Sequence, residues 1–400
     1  MMKVVLATAV GIVISLSEGA PSAQAENRAY QPDLTLDLHN LGYREPEMHR
    51  MTWGEQRILG APLRAQNEVA FTSPQTLALS FIVPNPNPGL SVRGKVLGGH
   101  FIFETIFVNA NNGAVLRTEP WSNGSGQCGF FPLADGRFVI WHDLDLDLHA
   151  ADGSVTRTFS LDASKYSSPF GVFQSASGET LFVSRPGRSG AHIVRLRAMD
   201  LTEISEVDLP GHYSAVSSDS YFAYVVARGL TARPPMALFV LPLAGLHSMN
   251  ESPDPTFVTG PPGCDSPAFL DDETLAMSGD CPTLTLVNTS GRVLYQKSFG
   301  DVRVSRVIAC RDCNLLVFGT YALTGGSSWS DTFPKSKFHS IFILDRQTKR
   351  SVEIPDKSAK YDSGMGLSAD GCRLAIQRDS VLRVYRLCNS PIAEELQHRP

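Results

Sequence analysis

One short pattern recurs seven times along the chain, a small polar turn followed by a β-rich run. The runs are residues 76–81, 137–143, 180–186, 221–227, 274–280, 315–321 and 373–379. They start about 40 to 60 residues apart, and further β-rich runs follow most of them, joined by turns such as Asn112-Gly113. Asn-Gly and Asp-Gly readily take the positive φ that tight hairpins require. The repeat predicts an all-β protein, a seven-bladed β-propeller with four-stranded antiparallel blades.

The two ends of the repeat region predict how the ring closes. The repeats span residues 68–388, and the last one ends after its third strand, 382–387. An N-terminal strand from residues 26–67 is expected to complete that blade, because this pairing removes an exposed sheet edge. Two stretches fit equally well, 34–38 and 57–63. Residues 389–400 are expected to form a C-terminal tail.

The first 25 residues have the features of a signal peptide. Lys3 gives a short positive start, residues 4–16 are apolar, and Ala23-Gln24-Ala25 matches an A-x-A cleavage site. A retained membrane anchor is the alternative, but a bilayer span needs about 20 apolar residues. We therefore expect a protein exported to the periplasm or the cell exterior, with no membrane span after signal cleavage.

Composition excludes some classes of function. Only 19% of the residues are charged and the formal net charge is −5. A nucleic-acid partner is not expected, because a binder of phosphates needs a basic surplus. The hydrophobic content of 42% is too high for a disordered chain.

The cysteines give an independent test of the predicted strands. In a hairpin, the two residue numbers of each directly opposed pair add up to the same value. The midpoint between two such residues in the sequence therefore falls on the turn. Three predicted disulfides meet this condition: Cys264–Cys281, Cys310–Cys313 and Cys372–Cys388. Opposed strand residues have Cβ atoms close enough for such bonds. Cys128 is left alone.

Cys310-x-x-Cys313 also matches a redox motif or half of a zinc site. A redox pair usually begins a helix, and a structural zinc site needs four ligands. The sequence around these cysteines predicts a β-turn, so a structural disulfide is favoured.

No catalytic set is predicted. Asp143, Asp145 and Asp147 alternate with leucines, which suggests either a calcium loop or a strand with Leu facing inward and Asp facing solvent. The spacing fails the EF-hand pattern, which favours the strand. A G-x-S-x-G motif for a serine hydrolase is missing from the sequence. We therefore predict no catalytic residue, no metal and no cofactor, although histidines from several blades could still meet on the axis.

The expected binding surface is the mouth of the central channel, where the loops preceding each first strand and the loops joining the second and third strands of each blade meet. The second kind of loop is enlarged at 84–100, 228–236 and 322–337, and long loops in a compact fold usually carry function. The candidate binding residues in these loops are Arg93, Lys95, Trp329, Phe333, Lys335 and Lys337. Those leading into first strands are Trp121, Tyr166, His212, Asp265, Arg303, Arg306 and Asp362. The alternative is that the aromatic residues pack between blades and the loops are insertions.

Residues 180–210 and 315–355 resemble the YVTN/WD40-like repeats of exported bacterial propellers. The Trp-Asp dipeptide of eukaryotic WD40 repeats and the Ala-x-Asp-x-x-Thr-Gly motif of quinoprotein propellers are missing from the sequence. The resemblance implies a fold and a platform but no particular activity. We expect a non-catalytic binding or interaction scaffold for a protein or glycan partner. The alternative is an enzyme with an axial pocket, such as a sugar-lactone hydrolase or a polysaccharide lyase, which would show converging titratable residues.

Overall fold

The structure is a computed structural model. It describes residues 30–42, 68–84, 101–121, 128–133, 135–142, 144–162, 171–186, 190–210, 215–227, 236–243, 256–258, 264, 266–279, 281–310, 312–324, 335–355, 364–378 and 380–398. The predicted signal peptide and stretch 57–63 lie outside these residues.

Within the described residues, the strands form seven four-stranded antiparallel sheets, each a blade. Blade 1 contains β2 (Glu68–Ser73), β3 (Thr76–Pro84), β4 (Phe101–Asn109) and β5 (Val115–Trp121). Blade 2 contains β6 (Cys128–Pro132), β7 (Phe138–His142), β8 (Asp145–His149) and β9 (Val155–Ser160). Blade 3 contains β10 (Gly171–Gln174), β11 (Thr180–Pro186), β12 (Gly190–Arg197) and β13 (Thr202–Pro210). Blade 4 contains β14 (Ala215–Ser217), β15 (Tyr221–Ala227), β16 (Met236–Pro242) and β17 (Thr256–Val258).

The remaining blades follow the same order until the last. Blade 5 contains β18 (Ser266–Phe269), β19 (Thr274–Ser278), β20 (Thr283–Asn288) and β21 (Val293–Ser298). Blade 6 contains β22 (Arg303–Ala309), β23 (Leu315–Thr324), β24 (Lys335–Asp345) and β25 (Ser351–Pro355). Blade 7 contains β26 (Met365–Leu367), β27 (Arg373–Arg378), β28 (Val381–Arg386) and, as its outer strand, β1 (Leu34–Asp37). A 3-10 turn (Leu38–Leu41) follows β1, and one helix, α1 (Pro391–His398), follows β28.

The first strands of the blades lie innermost and contact one another in sequence. Contacts join β2 to β6, β6 to β10, β10 to β14, β14 to β18, β18 to β22, β22 to β26, and β26 back to β2. This circuit is closed, as in a β-propeller. The predicted all-β propeller with four-stranded antiparallel blades is confirmed.

The blades are held together by apolar side chains between neighbouring sheets. Leu146 of blade 2 and Leu181 of blade 3 share one buried cluster, and each is 0% exposed. The middle strands are buried on both sides, as in β7, whereas most side chains of the outer strand β9 are exposed. Because the second strand of a blade is buried on both sides, its sequence is a nearly continuous run of apolar residues.

The N-terminal strand completes blade 7. β1 pairs antiparallel with β28, with Leu36 opposite Leu382. Leu38, just after the strand, is fully buried in the cluster shared by blades 7 and 1. Stretch 34–38 therefore supplies the closing strand expected from residues 26–67.

A β-bulge recurs at the start of the outer strand in four blades. The pairing between third and fourth strands shifts by one residue in blades 1, 2, 3 and 5. The extra residues are Leu116, Thr156, Ile204 and Leu294. A bulge redirects its side chain, and Leu116, Ile204 and Leu294 are 53%, 47% and 42% exposed.

All three predicted disulfides are present, with Cα–Cα distances of 5.0 Å, 5.3 Å and 4.7 Å. Their placement needs a correction, because the cysteines lie just beyond the strand ends and not opposite each other within the ladder. In blade 5 the outermost pair of the first hairpin is Ser266 with Ser278, and Cys264 and Cys281 follow it. The two cysteines are thus one residue out of the register of the paired strands, which is too small a difference to change the predicted partners.

The expected C-terminal tail contains the helix α1. Ile392 and Leu396 are 2% and 5% exposed and share a cluster with Val352 and Ile354 of β25. Arg350, next to β25, donates a hydrogen bond from Nη1 to the Gln397 carbonyl oxygen, 2.5 Å away. The helix thus packs against the outer strand of blade 6. Two apolar residues at i and i+4 are too few for the sequence to predict it.

Candidate functional site

The predicted binding residues lie only partly within the described structure. Arg303 is described in full at the start of β22, opposite Tyr321. Trp121, Arg306, Lys335 and Lys337 are placed by their backbones in β5, β22 and β24. Arg93, Lys95, Tyr166, His212, Asp265, Trp329, Phe333 and Asp362 lie outside the described residues.

The five placed residues occur in blades 1 and 6. Arg303 and Lys337 occupy adjacent register positions, because Tyr321 faces Arg303 and the next residue, Ala322, faces Lys337. The structure therefore brings two of the predicted cationic residues to one end of blade 6. We call the face at this end the mouth face and the opposite face the turn face.

Hairpins project at the mouth face in the blades with enlarged loops. In blade 1 the inner strand pairs with β3 as far as Ser80, whereas β3 stays paired with β4 up to Pro84. In blade 6 the inner strand reaches Tyr321, whereas β23 stays paired with β24 up to Thr324. At about 3.3 Å per residue, the paired strands extend roughly 13 Å past the inner strand in blade 1 and roughly 10 Å in blade 6.

Blade 4 repeats this geometry and blade 2 does not. In blade 4, pairing with the inner strand ends at Tyr224, while the middle strands stay paired to Ala227. In blade 2 both pairings end at His142. Among the described residues, the second and third strands stay paired three or four residues past the inner strand in blades 1, 4 and 6, but only two residues past it in blades 3 and 7. We call the first three the raised hairpins.

The turn face is braced from blade to blade by polar contacts. Arg373 of blade 7 donates from Nη1 to the Ala110 carbonyl oxygen of blade 1, at 3.2 Å. Similar links join Arg137 Nη1 to Met199 O at 2.7 Å, Ser220 N to Asp272 Oδ1 at 2.8 Å, and Arg346 Nη1 to Asp271 Oδ2 at 2.6 Å. These bonds cross blade boundaries, so they fix each blade relative to its neighbour.

Of the alternating Asp residues of blade 2, Asp145 and Asp147 lie on β8, which pairs with β7 and β9, and Asp143 lies outside the described residues. Leu146 and Leu148 are buried in the core, as the strand interpretation predicts. Asp147 does not simply face solvent, because its side chain is 15% exposed, its Oδ2 is 2.8 Å from His142 Nε2, and Thr158 donates to its Oδ1. Burial raises the pKa of Asp147, but the bonds from His142 and Thr158 outweigh burial and leave that pKa below its usual value.

A cleft of about 370 Å³ opens on the turn face between blades 1 and 2. It is lined by Thr72, Ser73, Thr76, Phe107, Leu116, Arg117, Gly136 and Ala151. Blade 1 supplies its first turn and the start of its outer strand, and blade 2 supplies two turns. The lining became adjacent only through blade packing, which is why sequence reasoning missed this site.

Arg117 is the cation of the cleft. Its guanidinium carbon lies 3.9 Å from the centre of the Phe107 ring, a cation–π distance. Nη1 donates to the Ala151 carbonyl oxygen at 3.1 Å, and Nε is 3.9 Å from Glu119 Oε1. Burial lowers the pKa of Arg117, while the carboxylates of Glu119 and Asp152 act in the opposite direction.

His149 lies on the blade 2 side of the same junction. Its ring stacks on Phe138 with centres 4.8 Å apart, and Nδ1 donates to the Gly153 carbonyl oxygen at 2.8 Å. Burial lowers the pKa of His149, although the bond to Gly153 and the Asp147 carboxylate favour the protonated form. The imidazole is therefore neutral in the folded protein at pH 7.

The His149→Gln variant is expected to show a weaker pH dependence of stability. An unfolded histidine has a pKa of about 6.5, and the folded pKa is lower. His149 therefore supports folding above about pH 6.5, and this contribution is lost as the pH falls through the folded pKa. Urea unfolding of both proteins at several pH values between about 7 and 5 measures the slope. An equal slope in both proteins contradicts the prediction, and His39→Gln, at an exposed turn, is the control.

The described residues have neither a metal-binding cluster nor a membrane-spanning helix. Among the described His, Cys, Asp and Glu residues, no group of three or more could hold a metal ion. In the same part of the chain, no helix has both the length and the apolar content needed to cross a bilayer.

Comparison with solved structures identifies the fold. A chain of the mitotic checkpoint complex is similar to this chain at 15% identity, with a TM-score of 0.51, over 94% of this chain and 98% of that one. A chain of Kuenenia stuttgartiensis hydrazine synthase is similar at 12% identity, with a TM-score of 0.42, over 65% of this chain and 78% of that one. The first likeness agrees with the blade geometry, and together they define the fold as a β-propeller. Neither a family model nor a curated protein sequence matches the chain.

Proposed function

We propose that this protein is an exported, non-catalytic, seven-bladed β-propeller that binds a protein or glycan partner through its mouth face. The observation that carries the proposal is the set of hairpins raised on blades 1, 4 and 6. The hairpins of blades 1 and 6 continue past their inner strands toward connections that contain the predicted binding residues Arg93, Lys95, Trp329 and Phe333.

The two faces differ in a way that suits a binding scaffold. Apart from the connection 244–255, short turns and inter-blade hydrogen bonds such as Arg373 to Ala110 hold the turn face. The mouth face carries three long connections, 85–100, 228–235 and 325–334. A rigid base that presents long loops is a common arrangement for recognition sites.

Export is supported by the covalent chemistry of the chain. Three disulfides are typical of proteins that fold in an oxidising compartment. The signal-like N-terminus agrees with this compartment. We infer that the protein works in the periplasm or outside the cell, and that it resembles the exported YVTN/WD40-like propellers.

Shortening the mouth-face hairpins is expected to abolish partner binding without unfolding the ring. Thr324 and Lys335 are the last paired residues of β23 and β24, so Asn-Gly in place of 325–334 would close a regular hairpin. The same change in place of 85–100 would close the hairpin of blade 1. Partners are captured on the immobilised protein from the extracellular and envelope fractions and quantified by mass spectrometry, and point variants Trp329→Ala and Phe333→Ala test individual side chains.

The matched control shortens a loop of similar length on the turn face, residues 244–255 between β16 and β17. The proposal expects a partner that is retained by this control and lost from both hairpin variants. Equal capture by all variants, or chemical conversion of a captured ligand, would contradict a mouth-face binding scaffold.

A further inference from the structure

The cleft between blades 1 and 2 combines a cation with hydroxyl groups. Arg117 is the charged residue among its lining residues, which include no carboxylate. Thr72, Ser73 and Thr76, at the first turn of blade 1, also line the cleft. This composition favours an anionic group, because a carboxylate accepts hydrogen bonds from guanidinium and hydroxyl donors.

Arg117 is only partly satisfied within the described protein. Its Nε is buried without a hydrogen-bond partner there, since the 3.9 Å to Glu119 Oε1 is too long for such a bond. The ring of Phe107, which is 1% exposed, packs against the guanidinium. Gly153 packs so closely that an added Cβ would lie 2.6 Å from Arg117 Nη1. The side chain is thus held in place, and Glu119, 3.9 Å away, is the ion-pair partner with which an anionic ligand would compete.

Exposed apolar side chains precede Arg117 in the same strand. Leu116 lines the cleft and is 53% exposed, and its neighbour Val115 is 49% exposed. The β-bulge of blade 1 places Leu116 as the extra residue of the strand, which explains why an apolar side chain faces outward. A ligand can therefore cover an apolar surface and meet a cation at adjacent positions.

We propose that this cleft binds an organic carboxylate that carries an apolar side group. The carboxylate lies against Arg117 and the hydroxyls of the blade 1 turn, and the apolar group covers Leu116. The cleft volume of about 370 Å³ suits one or two residues, near the lower limit for small-ligand sites. The site lies on the turn face and does not depend on the mouth-face partner.

The test compares two probes that differ only in charge, N-acetyl-leucine and N-acetyl-leucinamide. Ligand-observed NMR titration of the purified protein measures both affinities. We expect the acid to bind at least about tenfold more tightly, the effect of one charge-assisted hydrogen bond. Equal affinities, or no binding of the acid below about 10 mM, would overturn the proposal.

Variants locate the site. Arg117→Gln should reduce the affinity of the acid to that of the amide, and Leu116→Ser should weaken both probes several-fold. The matched control is Leu294→Ser, because Leu294 is the exposed bulge residue of blade 5 and Tyr295 follows it where Arg117 stands in blade 1. Unchanged affinities in Arg117→Gln and Leu116→Ser proteins that retain the native circular dichroism spectrum would also overturn it.

A third probe identifies the source of the carboxylate. The tripeptide Ala-Ala-Leu carries the same terminal group on a longer chain. Tighter binding than N-acetyl-leucine supports a polypeptide C-terminus, and equal affinity supports a free acid. Binding of the tripeptide that persists after its C-terminus is amidated would contradict the role of the carboxylate.

Discussion

Removing every residue before Gly42 is expected to lower the free energy of unfolding by about 4 kcal/mol or more. The deletion takes away β1, exposes the edge of β28 and empties the site of Leu38, which is fully buried. A buried Leu→Ala change alone costs about 2–5 kcal/mol. Because folded domains are stable by only about 5–15 kcal/mol, the truncated ring should be close to unfolding. Urea denaturation measures the change.

Leu38→Ala in the full chain separates packing from strand pairing. This variant keeps β1 and should lose about 3 kcal/mol. The control Leu294→Ala, at a side chain 42% exposed, should change stability by less than about 1 kcal/mol. A truncated protein with the same unfolding midpoint as the full chain would show that β1 does not close the ring.

The disulfides Cys264–Cys281 and Cys372–Cys388, with sequence separations of 17 and 16, are expected to give the second-largest effect, and the bond of blade 7 is the one tested. Replacing Cys372 and Cys388 by alanine should cost about 3 kcal/mol, because the bond closes a loop of 16 residues in sequence separation. Replacing Cys310 and Cys313 should cost less, since their separation is only 3 and little chain entropy is removed. Urea unfolding of the two double variants under non-reducing conditions measures the difference. The reverse order of stabilities would contradict this account.

The parts of the fold that depend on local sequence could be predicted. The tight turns, the strands that follow them and the disulfide pairs depend on residues close in the chain. The index sums succeeded although Cys264 and Cys281 lie beyond the strand ends, because the two chains of a hairpin have moved only one residue out of register there.

Other features depend on contacts between distant residues. The cleft requires Arg117 of one blade to stack on Phe107 and bond to Ala151 of the next blade. No local pattern contains that relation. A short sequence pattern does accompany the bulges. A glycine stands two residues before the first valine of the outer strand, as in Gly113 and Val115 or Gly291 and Val293.

The sequence predicted which blades carry the long loops of the mouth face, but not how the binding residues are arranged there. Enlarged loops indicated blades 1, 4 and 6, and the raised hairpins lie in those blades. Arg303 and Lys337 occupy adjacent register positions in blade 6. How the remaining predicted residues are arranged depends on loop packing, which periodicity does not specify.

Ring closure by the N-terminal strand is the claim on which both proposed surfaces depend. Thr35 lies directly opposite Arg383, and Thr35 is exposed, so cysteines at these two positions can bond without disturbing the core. Thr35→Cys/Arg383→Cys is oxidised and mapped by non-reducing peptide mass spectrometry. The account predicts a peptide that links positions 35 and 383 beside the three native disulfides. Recovery of both positions as free thiols, with the native disulfides intact, would contradict it.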